Sequence, residues 1–138
     1  MTEKEQLFNE DTFRIDNKHL DVEWENQAQC AFEIGRYAAE ARFAYDDARR
    51  LLDLAEAEAN LAVRQNPTAY GLTMPKPTEA AITSTVTALP EIQQKIDAVN
   101  KARRDFELIN QAVTAIEHKK KALESLTQLK QMNYYSAK

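Results

Sequence analysis

Apolar residues in the first half of the chain recur at alternating steps of four and three. Thirteen positions follow this rule, and Gln27 is the one that is not apolar. A period of 3.5 residues over such a length is typical of a helix packed in a coiled-coil seam. Pro67 ends the pattern, because the residue before a proline is disfavoured in the α region. The pattern predicts one helix over residues 20–65, with the seam Leu20, Trp24, Gln27, Ala31, Ile34, Ala38, Ala41, Tyr45, Ala48, Leu52, Ala55, Ala59 and Ala62.

A second periodic segment begins at Pro90, and proline suits the first position of a helix. It predicts a helix over residues 90–132. Its side chains are bulkier and more often β-branched than the alanine-rich first seam, so the two seams are complementary and we expect the helices to pack antiparallel. The seam positions are Ile92, Ile96, Val99, Arg103, Phe106, Ile109, Val113, Ile116, Lys120, Leu123, Leu126 and Leu129.

The rest of the chain reads as a connector and a polar arm. Residues 66–89 contain three prolines in their first part and then Thr78, which suits the N-cap of a short helix. In the arm, residues 1–19, Thr2 and Glu5 have the spacing of a capping box, and Phe8, Phe13 and Ile15 are possible apolar anchors. We therefore predict an all-α fold and a single helical domain, 1–138. It is a long, coiled-coil-like antiparallel hairpin with a short helix in the connector and a polar N-terminal arm.

Several large apolar residues of the first helix lie off its seam. A two-helix hairpin leaves such residues uncovered, so we expect further copies of the chain to cover them in a homo-oligomer. These residues are Phe32, Phe43, Leu51, Leu54 and Leu61.

Composition excludes several classes of protein. Two glycines and four prolines among 138 residues are too few for a β-sandwich or barrel, and the glycines lack the spacing of a nucleotide-binding loop. The single cysteine, Cys30, excludes an internal disulfide and a multi-cysteine zinc cluster, and His19 and His118 have no ligand at metal-site spacing. No apolar run reaches the roughly 18 residues of a membrane span, and the N-terminus is too polar for a signal peptide. We expect a cytoplasmic protein that is not an enzyme and uses no metal or other cofactor.

Charge is distributed unevenly. The chain has a net charge of −4, with 8 basic and 15 acidic side chains in residues 1–69 but 10 basic and 7 acidic ones in residues 70–138. Such asymmetry has two interpretations. Either the chain pairs with itself or with a polyanion, or acidic and basic helices pack against each other within it.

Basic residues near the connector give a stronger indication of function than the cysteine and the two histidines do. Arg64, Lys76 and Lys95 lie around it with Tyr70, and Lys101, Arg103 and Arg104 follow along the second helix. Cationic side chains can bind the successive phosphates of single-stranded nucleic acid while an aromatic ring beside them stacks on a base. A competing basic site is Lys119-Lys120-Lys121, although three successive lysines wrap around a helix and are usually only solvated.

The order of these elements resembles a known family. The chain has Ile15-Asp16 and Leu20 at the start of the first helix, Ala62-Val63-Arg64 at its end, and then Tyr70-Gly71. Over roughly residues 13–135 this resembles the UvsY-type recombination mediators of tailed bacteriophages. Stretches at 64–71, 78–82 and 117–124 also resemble a group of uncharacterised phage and prophage proteins.

The resemblance implies a function in DNA recombination and repair. It implies a ring of six to eight copies that binds single-stranded DNA and helps to load a RecA-like recombinase in place of a single-strand-binding protein. Together with the basic clusters described above, it leads us to expect DNA contacts on Arg64, Tyr70 and Lys76, with Lys95 in support and with Lys101, Arg103 and Arg104 as a second track. The alternative is a helical structural or interaction protein without nucleic-acid binding, such as a virion component, an adaptor or an inhibitor of a host factor.

Overall fold

Every regular element in the described part of the chain is helical. The computed structural model describes residues 2–132; residue 1 and residues 133–138 of the predicted domain lie outside this range. The all-α prediction is confirmed. In chain order the elements are α1 (Glu3–Leu7), α2 (Glu10–Phe13), α3 (Leu20–Gln65), a 3-10 helix (Pro67–Tyr70), α4 (Glu79–Ala88) and α5 (Pro90–Gln131).

These helices form two compact units. Unit 1 comprises the described parts of Met1–Glu40 and Phe106–Lys138, and unit 2 comprises Ala41–Asp105. Each unit contains a part of α3 packed against a part of α5. The single domain 1–138 stays a prediction.

In unit 1 the start of α3 packs against the end of α5. Trp24, in the second turn of α3, donates a hydrogen bond from Nε1 to Oγ1 of Thr127 over 2.9 Å. Further along, Ile34 is fully buried against Ala112 and Ile116. Because the first residues of α3 meet the last turns of α5, the helices run antiparallel here, as predicted for a hairpin.

The N-terminal arm folds onto unit 1. The predicted capping box is present, since Oγ1 of Thr2 accepts from the Glu5 N–H while the Glu5 carboxylate accepts from the Thr2 N–H. The arm is anchored by Leu7, which is 8% exposed, and by the predicted anchors Phe8 and Phe13, which pack on the core of unit 1. Leu7 was not among the predicted anchors.

In unit 2 the end of α3 packs against α4 and the start of α5. Val63 and Ile92 are fully buried, and Ile82 and Val86 of α4 close the same core. Thr78 caps α4 as predicted, because its Oγ1 accepts from the Ala81 N–H over 3.1 Å.

The first predicted seam agrees with the burial pattern, and the second needs two corrections. All thirteen positions of the first seam are buried or half-buried, whereas Arg103 and Lys120 of the second are exposed. Ala102 takes the inward position beside Arg103, because an unpaired charge is too costly to bury. Lys119 takes the inward position beside Lys120, because the Glu23 carboxylate and the Thr12 carbonyl lie on that side and bind its ammonium group.

Candidate nucleic-acid interface

The residues predicted to bind DNA all lie in unit 2, and each is exposed. Three belong to the end of α3 and the connector, and four lie on α5. They are Arg64, Tyr70, Lys76, Lys95, Lys101, Arg103 and Arg104.

A tight turn sets the position of Tyr70. The 3-10 helix that starts at Pro67 ends at Gly71, whose φ of 81° is in the left-handed region that favours glycine. Leu72 then packs against the core of unit 2 and anchors the turn from behind. Tyr70, the last residue of the 3-10 helix, keeps 36% of its surface exposed, so its ring is accessible to a stacking partner.

Arg64 differs from the other predicted cations, because its guanidinium group is already bonded to a carboxylate. Its Nε donates to Oδ1 of Asn60 over 2.6 Å, and its Nη2 pairs with the carboxylate of Glu79 at the start of α4. This hydrogen bond holds the pKa of the Glu79 carboxyl below its ordinary value and raises the pKa of Arg64. A phosphate at Arg64 therefore has to compete with Glu79.

The cations on α5 do not share one face of the helix. At about 100° per residue, Lys101 and Arg104 lie about 60° apart, while Arg103 falls on another side of the helix. Arg103 donates to Oδ1 of Asn100 over 3.2 Å, and Lys95 lies closer in angle to Arg103 than to Lys101. Lys101 and Arg104 are therefore the most compact pair among the predicted cations of α5, and Arg103 lies apart from them, on the side of Lys95.

Unit 2 as a whole has a balanced charge. Residues 41–105 hold nine basic and nine acidic side chains. Within residues 2–132, Arg50 pairs with Asp47 and Arg64 with Glu79, whereas no ion pair reaches the other five predicted cations, Lys76, Lys95, Lys101, Arg103 and Arg104. Five of the predicted cations are therefore available to a phosphate backbone without breaking an ion pair.

In the competing basic site in unit 1, the first lysine is not available to bind a phosphate. Only 9% of the Lys119 side chain is exposed, and its Nζ lies 2.8 Å from the Glu23 carboxylate and donates to the Thr12 carbonyl over 2.7 Å. Lys120 and Lys121 remain exposed. The expectation that these lysines are only solvated is wrong for Lys119.

A cleft of about 540 Å³ lies beside Lys119, between the arm and α3. Its lining includes the four carboxylates of Glu3, Asp11, Glu23 and Glu33 but only two cations, Lys119 and Arg36. This excess of carboxylates over cations disfavours the binding of a polyanion in the cleft. Cys30 also lines the cleft, and burial raises the pKa of its thiol, which lowers the fraction of reactive thiolate.

Two further features bear on the predicted class of protein. Among residues 2–132, no three or more His, Cys, Asp or Glu side chains are grouped so that they could hold a metal ion. In the same range, every helix falls short of the length and apolar character required to cross a membrane.

Comparisons with known proteins add no family to this description. No protein-family model, curated protein or solved structure matches the chain. The resemblance to the UvsY-type mediators stays a prediction that rests on the order of elements in the sequence.

Proposed function

We propose that this protein is a non-enzymatic recombination mediator that binds single-stranded DNA as a homo-oligomeric ring. In the cytoplasm, that of the host cell if the gene belongs to a phage, it would help a RecA-like recombinase to replace a single-strand-binding protein. The observation that carries the proposal is the exposed ring of Tyr70 in the same unit as Lys76, Lys95, Lys101 and Arg104. A base stacks on such a ring, and the cations hold the backbone.

The number of unpaired cations sets the expected strength of the salt effect. For single strands, log K falls with log salt with a slope of about −0.7 per phosphate neutralised, so five contacts give about −3.5. Between 50 and 200 mM salt, this slope corresponds to an affinity loss of roughly 130-fold per protomer engaged. A smaller slope means that fewer of the five cations contact phosphate.

The test is fluorescence anisotropy with a labelled oligothymidine at several salt concentrations. The test variant combines Lys101→Ala with Arg104→Ala, which removes the two unpaired cations that lie closest in angle on α5. The slope should become shallower by about 1.4, since two phosphate contacts are lost. The matched control combines Lys120→Ala with Lys121→Ala, which removes two exposed lysines of the same helix in unit 1 and should leave the slope unchanged.

Tyr70 tests the stacking part of the proposal separately from the charges. Tyr70→Ala should weaken binding by about 1–3 kcal/mol. The loss should be similar at every salt concentration, because stacking on a neutral ring neutralises no phosphate. If Tyr70→Ala binds as well as the unmodified protein, the ring does not contact a base.

Glu79 offers a variant in which binding should improve. Glu79→Gln removes the carboxylate that pairs with Arg64, which frees a sixth cation and should steepen the slope by about 0.7. Glu58→Gln is the matched control, since it removes one exposed carboxylate from the same unit and leaves Arg64 paired. Equal effects of both variants would mean that Arg64 does not contact DNA.

The second candidate function is a helical structural or interaction protein that binds no nucleic acid. The ion pair of Arg64 with Glu79 and the balanced charge of unit 2 favour it. The same assay separates the two candidates. Absence of binding at 50 mM salt, where electrostatic attraction is strong, would refute the mediator and leave the interaction protein.

A further inference from the structure

The turn that carries Tyr70 changes the direction of the chain at a single residue. Gly71, with its φ of 81°, separates Tyr70, which is 36% exposed, from Leu72, which packs against the core of unit 2. In an extended chain, side chains two residues apart point to the same side. An extended residue 71 would therefore direct the ring of Tyr70 to the side on which Leu72 is buried. The left-handed backbone at Gly71 allows one of the two side chains to pack on the core while the other stays in solvent.

Two backbone hydrogen bonds hold this turn closed. The Gly71 N–H donates to the Thr68 carbonyl over 3.1 Å, and the Leu72 N–H donates to the Pro67 carbonyl over 3.1 Å. An L-residue such as alanine is disfavoured in the left-handed region, because its Cβ comes too close to the following carbonyl oxygen. Alanine at position 71 would either keep the turn under strain or adopt a negative φ and give up these bonds.

The need for glycine at this position comes from the backbone and not from crowding. A Cβ atom at Gly71 would meet no atom within 4 Å apart from those of its chain neighbours. Gly35, the other glycine of the chain, has equally open surroundings, but it lies inside α3 and its φ is not positive. The two glycines therefore separate the effect of an added methyl group from the effect of the backbone conformation.

From this turn we propose that Gly71 is a positioning residue of the nucleic-acid site. It need not touch a base itself, because it acts through Tyr70, whose ring it keeps in the exposed orientation before a strand binds. A ring that is already held in its binding orientation loses less conformational freedom on binding, which strengthens the stacking contact. The inference rests on the proposed function, since it requires that Tyr70 stacks on a base.

The test is fluorescence anisotropy of the full chain with a labelled oligothymidine at several salt concentrations. Gly71→Ala should weaken binding by up to the effect of Tyr70→Ala, which is about 5- to 150-fold. The loss should be the same at every salt concentration, because no phosphate contact is removed. Gly71→Asn should restore most of the affinity, since asparagine adopts the left-handed conformation far more readily than alanine.

Two controls separate positioning from a general loss of stability. Gly35→Ala adds the same methyl group within α3 and should leave binding unchanged. Thr78→Ala weakens the cap of α4 in the same unit and should also leave binding unchanged, although it lowers the thermal midpoint measured by circular dichroism. In a chain that already carries Tyr70→Ala, Gly71→Ala should cause no further loss, because the residue acts through the ring.

The outcomes distinguish this inference from the proposed function. If Tyr70→Ala weakens binding but Gly71→Ala does not, Gly71 does not position the ring and only the inference is overturned. The same conclusion follows if Gly71→Asn binds no better than Gly71→Ala, or if Gly71→Ala weakens binding equally with and without Tyr70. An unmodified protein that does not bind oligothymidine at 50 mM salt would overturn both.

Discussion

Lys119 allows the sharpest test of the structure, because its neighbour Lys120 is an exposed control. Lys119→Ala removes two charge-assisted hydrogen bonds, one to Glu23 and one to the Thr12 carbonyl. Each such bond contributes about 1.5–3 kcal/mol. The Glu23 side chain is 19% exposed, so water can solvate part of the carboxylate that is left behind. We therefore expect a loss near the lower end of the sum, about 3 kcal/mol.

The assay is urea unfolding followed by the fluorescence of Trp24. This is the single tryptophan of the chain, and it lies in the same unit as Lys119. With a urea m-value of about 2 kcal/mol per molar, the unfolding midpoint should fall by about 1.5 M. Lys120→Ala should change the free energy of unfolding by less than about 0.5 kcal/mol, as is usual for a surface site.

A companion variant separates charge from packing. Lys119→Met keeps most of the apolar stem but removes the ammonium group, so it should lose most of the same stability. Adding Glu23→Gln to it should restore part of the loss, because no unpaired charge then remains. If Lys119→Ala and Lys120→Ala unfold at the same urea concentration, the ion pair of Lys119 with Glu23 does not stabilise the fold and the reasoning is refuted.

Three smaller changes test other local features. Gln27→Leu should leave the urea midpoint unchanged or raise it, by up to about 1 kcal/mol of stability, because Oε1 of Gln27 is buried without a hydrogen-bond partner among the described residues. Thr78→Ala should cost about 1 kcal/mol through the lost N-cap, seen as a lower thermal midpoint in circular dichroism. Arg64 lowers the pKa of Glu79. The pair therefore stabilises the fold at pH values above the unfolded-state pKa of Glu79, and this stabilisation is lost as the pH falls through the lowered pKa of the folded state. The difference in thermal midpoint between the unmodified protein and Glu79→Gln should therefore be present at neutral pH and vanish in acid.

Much of the fold is determined by residues that are close together in the sequence, which explains why it could be predicted from the sequence. The start of α3 at Leu20 and its end at Gln65 follow from a sustained apolar period and from Pro67. Pro90 likewise begins α5. These signals act within a few residues, so they do not depend on the tertiary fold.

The missed features depend on contacts between distant parts of the chain. Lys119 and Thr12 are 107 residues apart, and nothing in three successive lysines indicates which one turns inward. Arg64 and Glu79 are 15 residues apart, at the end of α3 and the start of α4, and Leu72 between them packs on the core of unit 2. The charge of a residue is visible in the sequence, but the partner that neutralises it is a property of the fold.

This distinction decides how the charge of the chain bears on its function. A net charge of −4 disfavours a polyanion only if all charges act together, whereas binding depends on the cations that no carboxylate has already neutralised. Unit 2 has five such cations among the predicted DNA-binding residues, which by themselves would give weak and strongly salt-dependent binding. In the proposed homo-oligomer a second copy would add five more, and linked sites multiply in affinity when one ligand can span them. For this chain, self-association is therefore the step that would turn a balanced surface into an effective DNA-binding surface.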